Sequence, residues 1–313
     1  MTEAWQLIER AKSVTLLTHV NPDADTLGSA LGMYHILKNM GKKVHIFNAT
    51  RLPYNLDFLP GITKVRNAFQ EAECYISFDA GSFDRLGIKN ECSPLINIDH
   101  HATNTRYGTY NIVDPTAAAT AQVVYDFCKA NGAKIPKESA LCLYAALVDD
   151  CGFFKYESVD ASVFEFAKEL CEAGAQPEYV AQMLTMREPL AKLRLIQKVL
   201  ATLELKINAK VAIVYLTQQM LAETGGTKEM ADDALNMARS LATVEVAVLL
   251  RQEEDGRIKV SLRSKSRVDV GAIALSFGGG GHKRAAGYTS DLHDFDRVLQ
   301  QLLNALQGEL VEL

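Results

Sequence analysis

The 313-residue chain lacks any run approaching ~20 uninterrupted apolar residues, so no membrane span is expected. Its first residues, MTEAWQLIERAK, carry two glutamates and no apolar stretch of the signal-peptide kind, so export is not expected either. Cysteine is sparse, with six residues at 74, 92, 128, 142, 151 and 171 and no C-x-x-C pair. That spacing does not indicate an all-thiolate metal site, and with no export signal the cysteines read as reduced, mostly buried thiols of a cytoplasmic protein. Basic excess is missing as well. The formal net charge is -5, which argues against a grip on long duplex nucleic acid but not against a small anionic substrate in a local basic pocket. What remains is a chain with 48% hydrophobic and 23% charged residues, of a length that fits two globular domains. Neither an internal repeat nor a low-complexity tract is seen.

Apolar β-branched runs alternate with helical stretches through the first half. Residues 14–18, 44–47, 74–78 and 95–98 read as strands. Residues 26–40, 117–131 and 138–148 read as helices, the first two closed by Gly41 and Gly132. This alternation predicts βαβ units and a mostly parallel sheet. Residues 159–203 are helical in pattern throughout, with Pro177 and Pro189 at helix starts. The last third changes character. Strands are expected over 211–216, 245–250 and 258–263, and helices over 230–241, 268–277 and 294–306. Residues 258–263 alternate strictly, which suits a sheet with one apolar face and puts Lys259, Ser261 and Arg263 together on the other. The expected division is a first domain over 1–186, a helical linker over 187–204 and a second, smaller α/β domain over 205–313.

Polar residues fall where each apolar element of the first domain ends. Thr18-His19-Val20-Asn21-Pro22-Asp23-Ala24-Asp25 follows the first strand, Asp79 follows 74–78, Asp99-His100-His101 follows 95–98, and Asp149-Asp150-Cys151-Gly152 follows the apolar helix. In a parallel sheet, ligands bind beyond the carboxyl ends of the strands, so these clusters converge on one edge. At an effective dielectric of about 20, two carboxylates ~4 Å apart repel by about 4 kcal/mol. Such a cluster protonates or splays unless cations neutralise it, and mixed Asp and His donors suit divalent ions such as Mn²⁺. A single member of the set has a plainer explanation. Asp25 could merely cap the helix it precedes, and His100-His101 could be solvated loop residues.

The second domain offers a glycine run, Ser276-Phe277-Gly278-Gly279-Gly280-Gly281, continuing into His282-Lys283-Arg284-Ala285-Ala286-Gly287. Glycines let backbone N–H groups approach an anion, and a helix beginning after the run would add positive potential. Glycine-rich stretches are more often flexible loops, and the basic triplet tips the reading toward an anion cradle. Arg263 is equally readable as an exposed surface cation.

Taken in order, His19, Asp23, Asp25, Asp79, Asp99-His100-His101 and Asp150-Cys151-Gly152 resemble the motifs of the DHH phosphoesterases. Residues 278–287 resemble the signature of their DHHA1 C-terminal domain. The resemblance spans nearly the whole chain, and its compact length is similar to that of the nanoRNase (oligoribonuclease) and 3′-phosphoadenosine-5′-phosphate (pAp) phosphatase group. It implies a mostly parallel DHH domain plus a smaller α/β DHHA1 domain, with the active site in the cleft between them. It also implies two Mn²⁺, with Mg²⁺ or Co²⁺ as alternatives: one held by His19, Asp23 and Asp79, the other by Asp25, Asp79, His100 and Asp150. Asp79 then bridges, Asp99 orients a histidine, and His101 meets the substrate phosphate. Arg263, Gly280, Gly281, His282 and Arg284 take the nucleotide.

The implied activity is hydrolysis of RNA dinucleotides and other nanoRNA, pAp, pApA or cyclic di-AMP by a metal-activated water. A nucleotide sensor with little or no catalysis is the alternative. Expected partners are these short substrates, with no long duplex and no membrane; a homodimer is left open. Two positions depart from the family pattern, Cys151 in place of threonine after the last motif aspartate and Asp149 in place of threonine before it.

Overall fold

The computed structural model describes residues 2–310 and divides into two compact units, Met1–Arg187 and Glu188–Leu313. The first begins with α1 (Glu3–Arg10), β1 (Ser13–Thr18), α2 (Ala24–Asn39), β2 (Lys43–Phe47), β3 (Val65–Arg66), β4 (Cys74–Phe78), β5 (Leu95–Asp99) and β6 (Tyr110–Val113). Four helices complete it: α3 (Thr120–Ala130), α4 (Lys137–Asp150), α5 (Ala161–Glu172) and α6 (Pro177–Thr185). Its sheet runs β3-β2-β1-β4-β5-β6 with every neighbouring pair parallel. Strand order therefore reverses between β1 and β4, and the crevice of such a sheet opens at the carboxyl ends of the strands on either side of that reversal.

Strands β4 and β5 are buried along their whole length, as expected of a parallel sheet covered on both faces. Helices cover one face, where α2 is buried nearly all round because it lies beneath α4. Their close approach rests on Gly28, where a Cβ would come within 2.5 Å of the Cys142 carbonyl oxygen. The opposite face is closed by Leu17, Phe47, Tyr75, Leu86 and Leu95 with aromatic side chains from the loops. All six cysteines are free, four of them buried. Among the described residues, no helix is long and apolar enough to cross a membrane.

The second unit comprises α7 (Leu190–Leu200), β7 (Glu204–Lys206), β8 (Val211–Leu216), α8 (Gln218–Thr224), α9 (Asp232–Arg239), β9 (Val246–Gln252), β10 (Ile258–Ser264), α10 (Val270–Ser276), β11 (Gly280–His282), β12 (Ala285–Ser290) and α11 (Phe295–Leu310). Its sheet runs β11-β12-β10-β9-β8-β7; β8 and β9 are parallel and the other pairs antiparallel. One face packs Val248, Val260, Leu262 and Tyr288 under α10 and α11. On the other, α7 and α9 cover mainly β8 and β9, through Ala212, Val214, Ala247 and Leu249, with the start of α9 reaching β10. The same face of β10 and β12 is left largely open, and Lys259, Ser261 and Arg263 lie there half-buried, in the strict alternation expected. The stretch expected as a linker, 187–204, contributes α7 to this unit: Leu195, Ile196 and Val199 recur at helical spacing and pack into the α9 core.

Two readings of the second unit are corrected. No helix begins after the glycine run; the chain forms β11, a two-residue turn and β12, so the helix N-terminus expected there is absent. The cause is pairing: Gly279 and Gly281 lie against β12 so closely that a Cβ at either would collide with its backbone. The helix expected over 230–241 is a 3-10 turn, Lys228–Ala231, followed by a shorter α9.

Candidate functional site

Each polar cluster of the first unit sits at the crevice end of its element. Asp23 is the N-cap of α2, its Oδ1 accepting from the Thr26 amide at 3.0 Å. The capping role considered for Asp25 thus belongs to Asp23. Asp25 lies one residue inside the helix, buried, and accepts from the backbone N–H groups of Thr120 (2.7 Å) and Ala121 (3.0 Å) at the start of α3. It caps that helix from across the fold, because the α3 N-cap, Ala119, has no side chain to do so. Asp79 follows β4 with φ at 55°, a left-handed conformation aspartate reaches more easily than most residues. Its Oδ1 accepts from the Thr120 hydroxyl at 3.0 Å.

The histidines are held with one nitrogen committed and the other turned inward. His19 Nδ1 meets the Val20 carbonyl at 2.9 Å, and His100 Nδ1 meets the Ala117 carbonyl at 3.1 Å. A carbonyl only accepts, so each Nδ1 carries the proton and each Nε2 is free to ligate. His19 Nε2 lies 3.5 Å from Asp23 and 3.4 Å from Asp79; His100 Nε2 lies 3.7 Å from Asp79 and 3.4 Å from Asp150. His101, half-exposed, places Nδ1 2.8 Å from Asp99 Oδ1 and 3.5 Å from Asp79. Asp99 is fully buried and also accepts from the amides of His100 and His101 and from the Asn104 side chain.

Three overlapping donor sets result: His19, Asp23 and Asp79; Asp25, His100 and Asp150; and Asp79, His100 and His101. Within each, the ligating atoms lie within 4.8 Å of one another. Separations of 3.4–3.7 Å between donors are too long for strong hydrogen bonds and suit atoms gathered around a common centre. The electrostatics point the same way. Burial pushes the Asp25 carboxyl well above its ordinary range, and the charges of Asp79, Asp150 and Asp23 push it further. Burial opposes the charged form of His19, yet the carboxylates of Asp23 and Asp79 outweigh it and raise its pKa to about 10. The cluster is short of positive charge, and the donor set fits divalent cations. Asp99 differs: burial opposes its charged form, but hydrogen bonds from His101 and Asn104 hold its carboxyl below the ordinary range.

Asp150, rather than Asp149, faces His100. The Cys151 thiol is taken up by the loop beyond α4, near the Val148 carbonyl and the Phe154 amide, away from the donor sets. Sequence reasoning passed over Thr120 and Asn104. Thr120 sits in a run of alanines, and its value comes only from the fold that lays the start of α3 beside β4.

In the second unit, Arg263, Gly280 and Gly281 line one cavity of about 420 Å³ with Arg251, Lys259, Ser261 and Gly287. The floor is small because β12 carries Ala285 and Gly287 beside Ser261, and the rim sets Arg251, Lys259 and Arg263 around the carboxylate of Asp232 at the start of α9. His282 ends β11 exposed, and Arg284 lies in the following turn; neither lines this cavity. Sequence reasoning passed over Arg251, which the register pairs with Lys259 across β9 and β10.

A parallel sheet with carboxylates and imidazoles gathered at its switch point defines an α/β protein with a candidate metal centre, and comparison with known proteins makes the class specific. Residues 13–147 match the DHH family, N-terminal domain, and residues 208–308 match the DHHA1 domain. The chain belongs to the DHH family. It is 33% identical, over 95% of its length and 90% of the relative's, to the bifunctional oligoribonuclease and PAP phosphatase NrnA of Thermus thermophilus. Identity is 27% to the protein of that name from Bacillus subtilis, over 96% of this chain and 97% of the other. The crystal structure of an exopolyphosphatase-related protein from Bacteroides fragilis superposes with a TM-score of 0.90 at 25% identity, covering 97% of this chain and 95% of that one.

Proposed function

We propose that the protein is a metal-dependent phosphoesterase that hydrolyses short oligoribonucleotides and pAp, with pApA and cyclic di-AMP as further candidates. The observation that carries this reading is the convergence of three donor sets, two of them sharing Asp79, at the carboxyl ends of β1, β4 and β5. The printed activities of the Thermus and Bacillus relatives, both aligned along nearly the whole chain, support it.

In this reading His19, Asp23 and Asp79 hold one cation, and Asp25, Asp79, His100 and Asp150 hold the second. The mixed oxygen and nitrogen donors favour Mn²⁺, with Mg²⁺ or Co²⁺ as alternatives. Cations bound there supply Lewis acidity toward phosphoryl oxygens and lower the pKa of water. The chain's own residues set the geometry. Thr120 fixes the Asp79 carboxylate by a hydrogen bond to Oδ1. The amides opening α3 hold Asp25. Asp99 orients His101 through Nδ1 and favours its protonated form, in which Nε2–H can donate to a phosphoryl oxygen as charge develops on it. Arg263, Gly280, Gly281, His282 and Arg284 are assigned to the nucleotide, with Arg251 and Lys259 lining the same cavity as Arg263. A sensor without catalysis gains nothing from the two departures from the family pattern, because Asp149 and Cys151 lie off the donor sets.

The test is Mn²⁺-dependent hydrolysis of a panel: a 5′-phosphorylated RNA dinucleotide, a longer oligomer, pAp, pApA, cyclic di-AMP and pyrophosphate. Turnover confined to the shortest nucleotides, abolished by chelator and restored by Mn²⁺, is expected. Tight binding without turnover of any member overturns the reading.

A further inference from the structure

We propose that Tyr156 is a stacking platform for a nucleobase of the substrate, placed beside the candidate metal centre by a strained loop; this rests on the phosphoesterase reading. The loop begins where α4 ends. Asp150 is the last helical residue, Cys151 the cap, and Gly152, Phe153 and Phe154 follow with φ of 60°, 56° and 60°. Three successive left-handed residues, two of them phenylalanine, are costly for an L-chain and persist only where the surroundings hold them. Two contacts do so. The Phe154 ring stacks on Phe164 of α5, with centroids 5.3 Å apart and planes 14° from parallel. The Phe154 amide donates to the Cys151 sulfur at 3.3 Å.

The result of this turn is the position of Tyr156. The amides of Lys155 and Tyr156 both donate to the Cys151 carbonyl, at 3.1 and 3.3 Å, which folds the chain back over α4's end. The Tyr156 ring then lies against Gly152. A Cβ at Gly152 would come within 2.5–2.7 Å of three of its ring carbons. Gly152 is thus required twice, once for its backbone conformation and once for the space the ring occupies. The residue remains 55% exposed. One side of the ring rests on backbone and the remainder is open to solvent.

A large aromatic surface held this way adds little to the core. It lies next to Gly152, whose Cα is at most about 7.6 Å along the chain from that of Asp150, and Asp150 belongs to a donor set. A nucleotide whose phosphate sits at that set has its base within reach of the ring. Every base has a π-face, so stacking here is tolerant of sequence, and the phenol edge keeps the platform wetted. This explains how a site that must accept many short oligomers gains affinity without reading sequence, and it predicts a modest preference for purines.

The experiment uses the full chain with Mn²⁺ and compares wild type, Tyr156→Ala and Tyr156→Phe on a 5′-phosphorylated RNA dinucleotide and on its counterpart lacking both bases. Tyr156→Ala is expected to raise KM for the dinucleotide ~5- to 100-fold, with a smaller change in kcat. Tyr156→Phe recovers most of the loss. On the abasic substrate the penalty shrinks several-fold. Bound Mn²⁺ per chain, measured in Tyr156→Ala, reports that the variant is folded. Binding of a dinucleotide carrying 2-aminopurine supplies a readout independent of turnover, since its fluorescence is quenched on stacking with wild type and not with Tyr156→Ala. Equal penalties on both substrates, or quenching that survives the substitution, overturn the proposal. Quenching by Tyr156 in a protein that turns over neither substrate overturns the phosphoesterase reading and leaves the platform standing.

Discussion

At the crevice end of the first unit's sheet, buried or half-buried carboxylates and imidazoles crowd together. On the open half-face of the second unit's sheet, Arg251, Lys259 and Arg263, with one carboxylate, Asp232, among them, rim a floor of glycine, alanine and serine. Both are built at strands, and they differ in what they lack. The first is deficient in positive charge, with the Asp25 carboxyl pushed well above its ordinary range by burial and by the charges of Asp79, Asp150 and Asp23. The second is deficient in bulk, so an anionic ligand can lie close to backbone between cations. Parallel strands that all end on one edge concentrate chemistry in a cluster. An antiparallel sheet left half-covered spreads it along a surface.

The largest effect that separates the two regions is expected from Asp79→Ala. Two of the donor sets lose their common member, so kcat/KM should fall about 10³-fold or more, and metal analysis should show fewer ions bound per chain. Full activity with stoichiometric metal would break the assignment of Asp79 as bridge. Arg263→Ala acts on the other region. Loss of a charge-assisted hydrogen bond should weaken substrate use by about 10- to 100-fold, carried by KM, with the bound metal unchanged; a change in metal stoichiometry would mean the two regions are not separable. Thr120→Val keeps shape and removes the hydroxyl that holds Asp79. Metal affinity, read by titration calorimetry, should fall about tenfold. The smallest effect belongs to Asp149→Asn. Asp149 is exposed and outside the donor sets, so kcat/KM should stay within about twofold; a large loss would make Asp149 a ligand in place of Asp150.

Much of the first region was legible because its signal is local. Each strand of 14–18, 74–78 and 95–98 is an apolar run, and each ends in an acidic or histidine motif at once. The second region was legible in its alternation over 258–263, which placed Lys259, Ser261 and Arg263 on one face. It was misread over the glycine run, where nothing local reports that β12 will pair so closely with β11 that glycine is needed for contact. Short edge strands such as Val65–Arg66 and Glu204–Lys206 gave no pattern long enough to read.

The sequence by itself determined the alternation of elements, the parallel sheet, the polar residue types at the strand ends and the excess of negative charge among them, because period and charge are properties of neighbours along the chain. Only the tertiary structure decided that Asp23 caps α2 while Asp25 caps α3 from across the fold. It alone decided that Thr120 braces Asp79, that His19 and His100 each commit Nδ1 to a carbonyl, and that Tyr156 lies on Gly152. Those are matters of distance between residues up to 96 positions apart in sequence, and distance of that kind is set by how the helices pack onto the sheet.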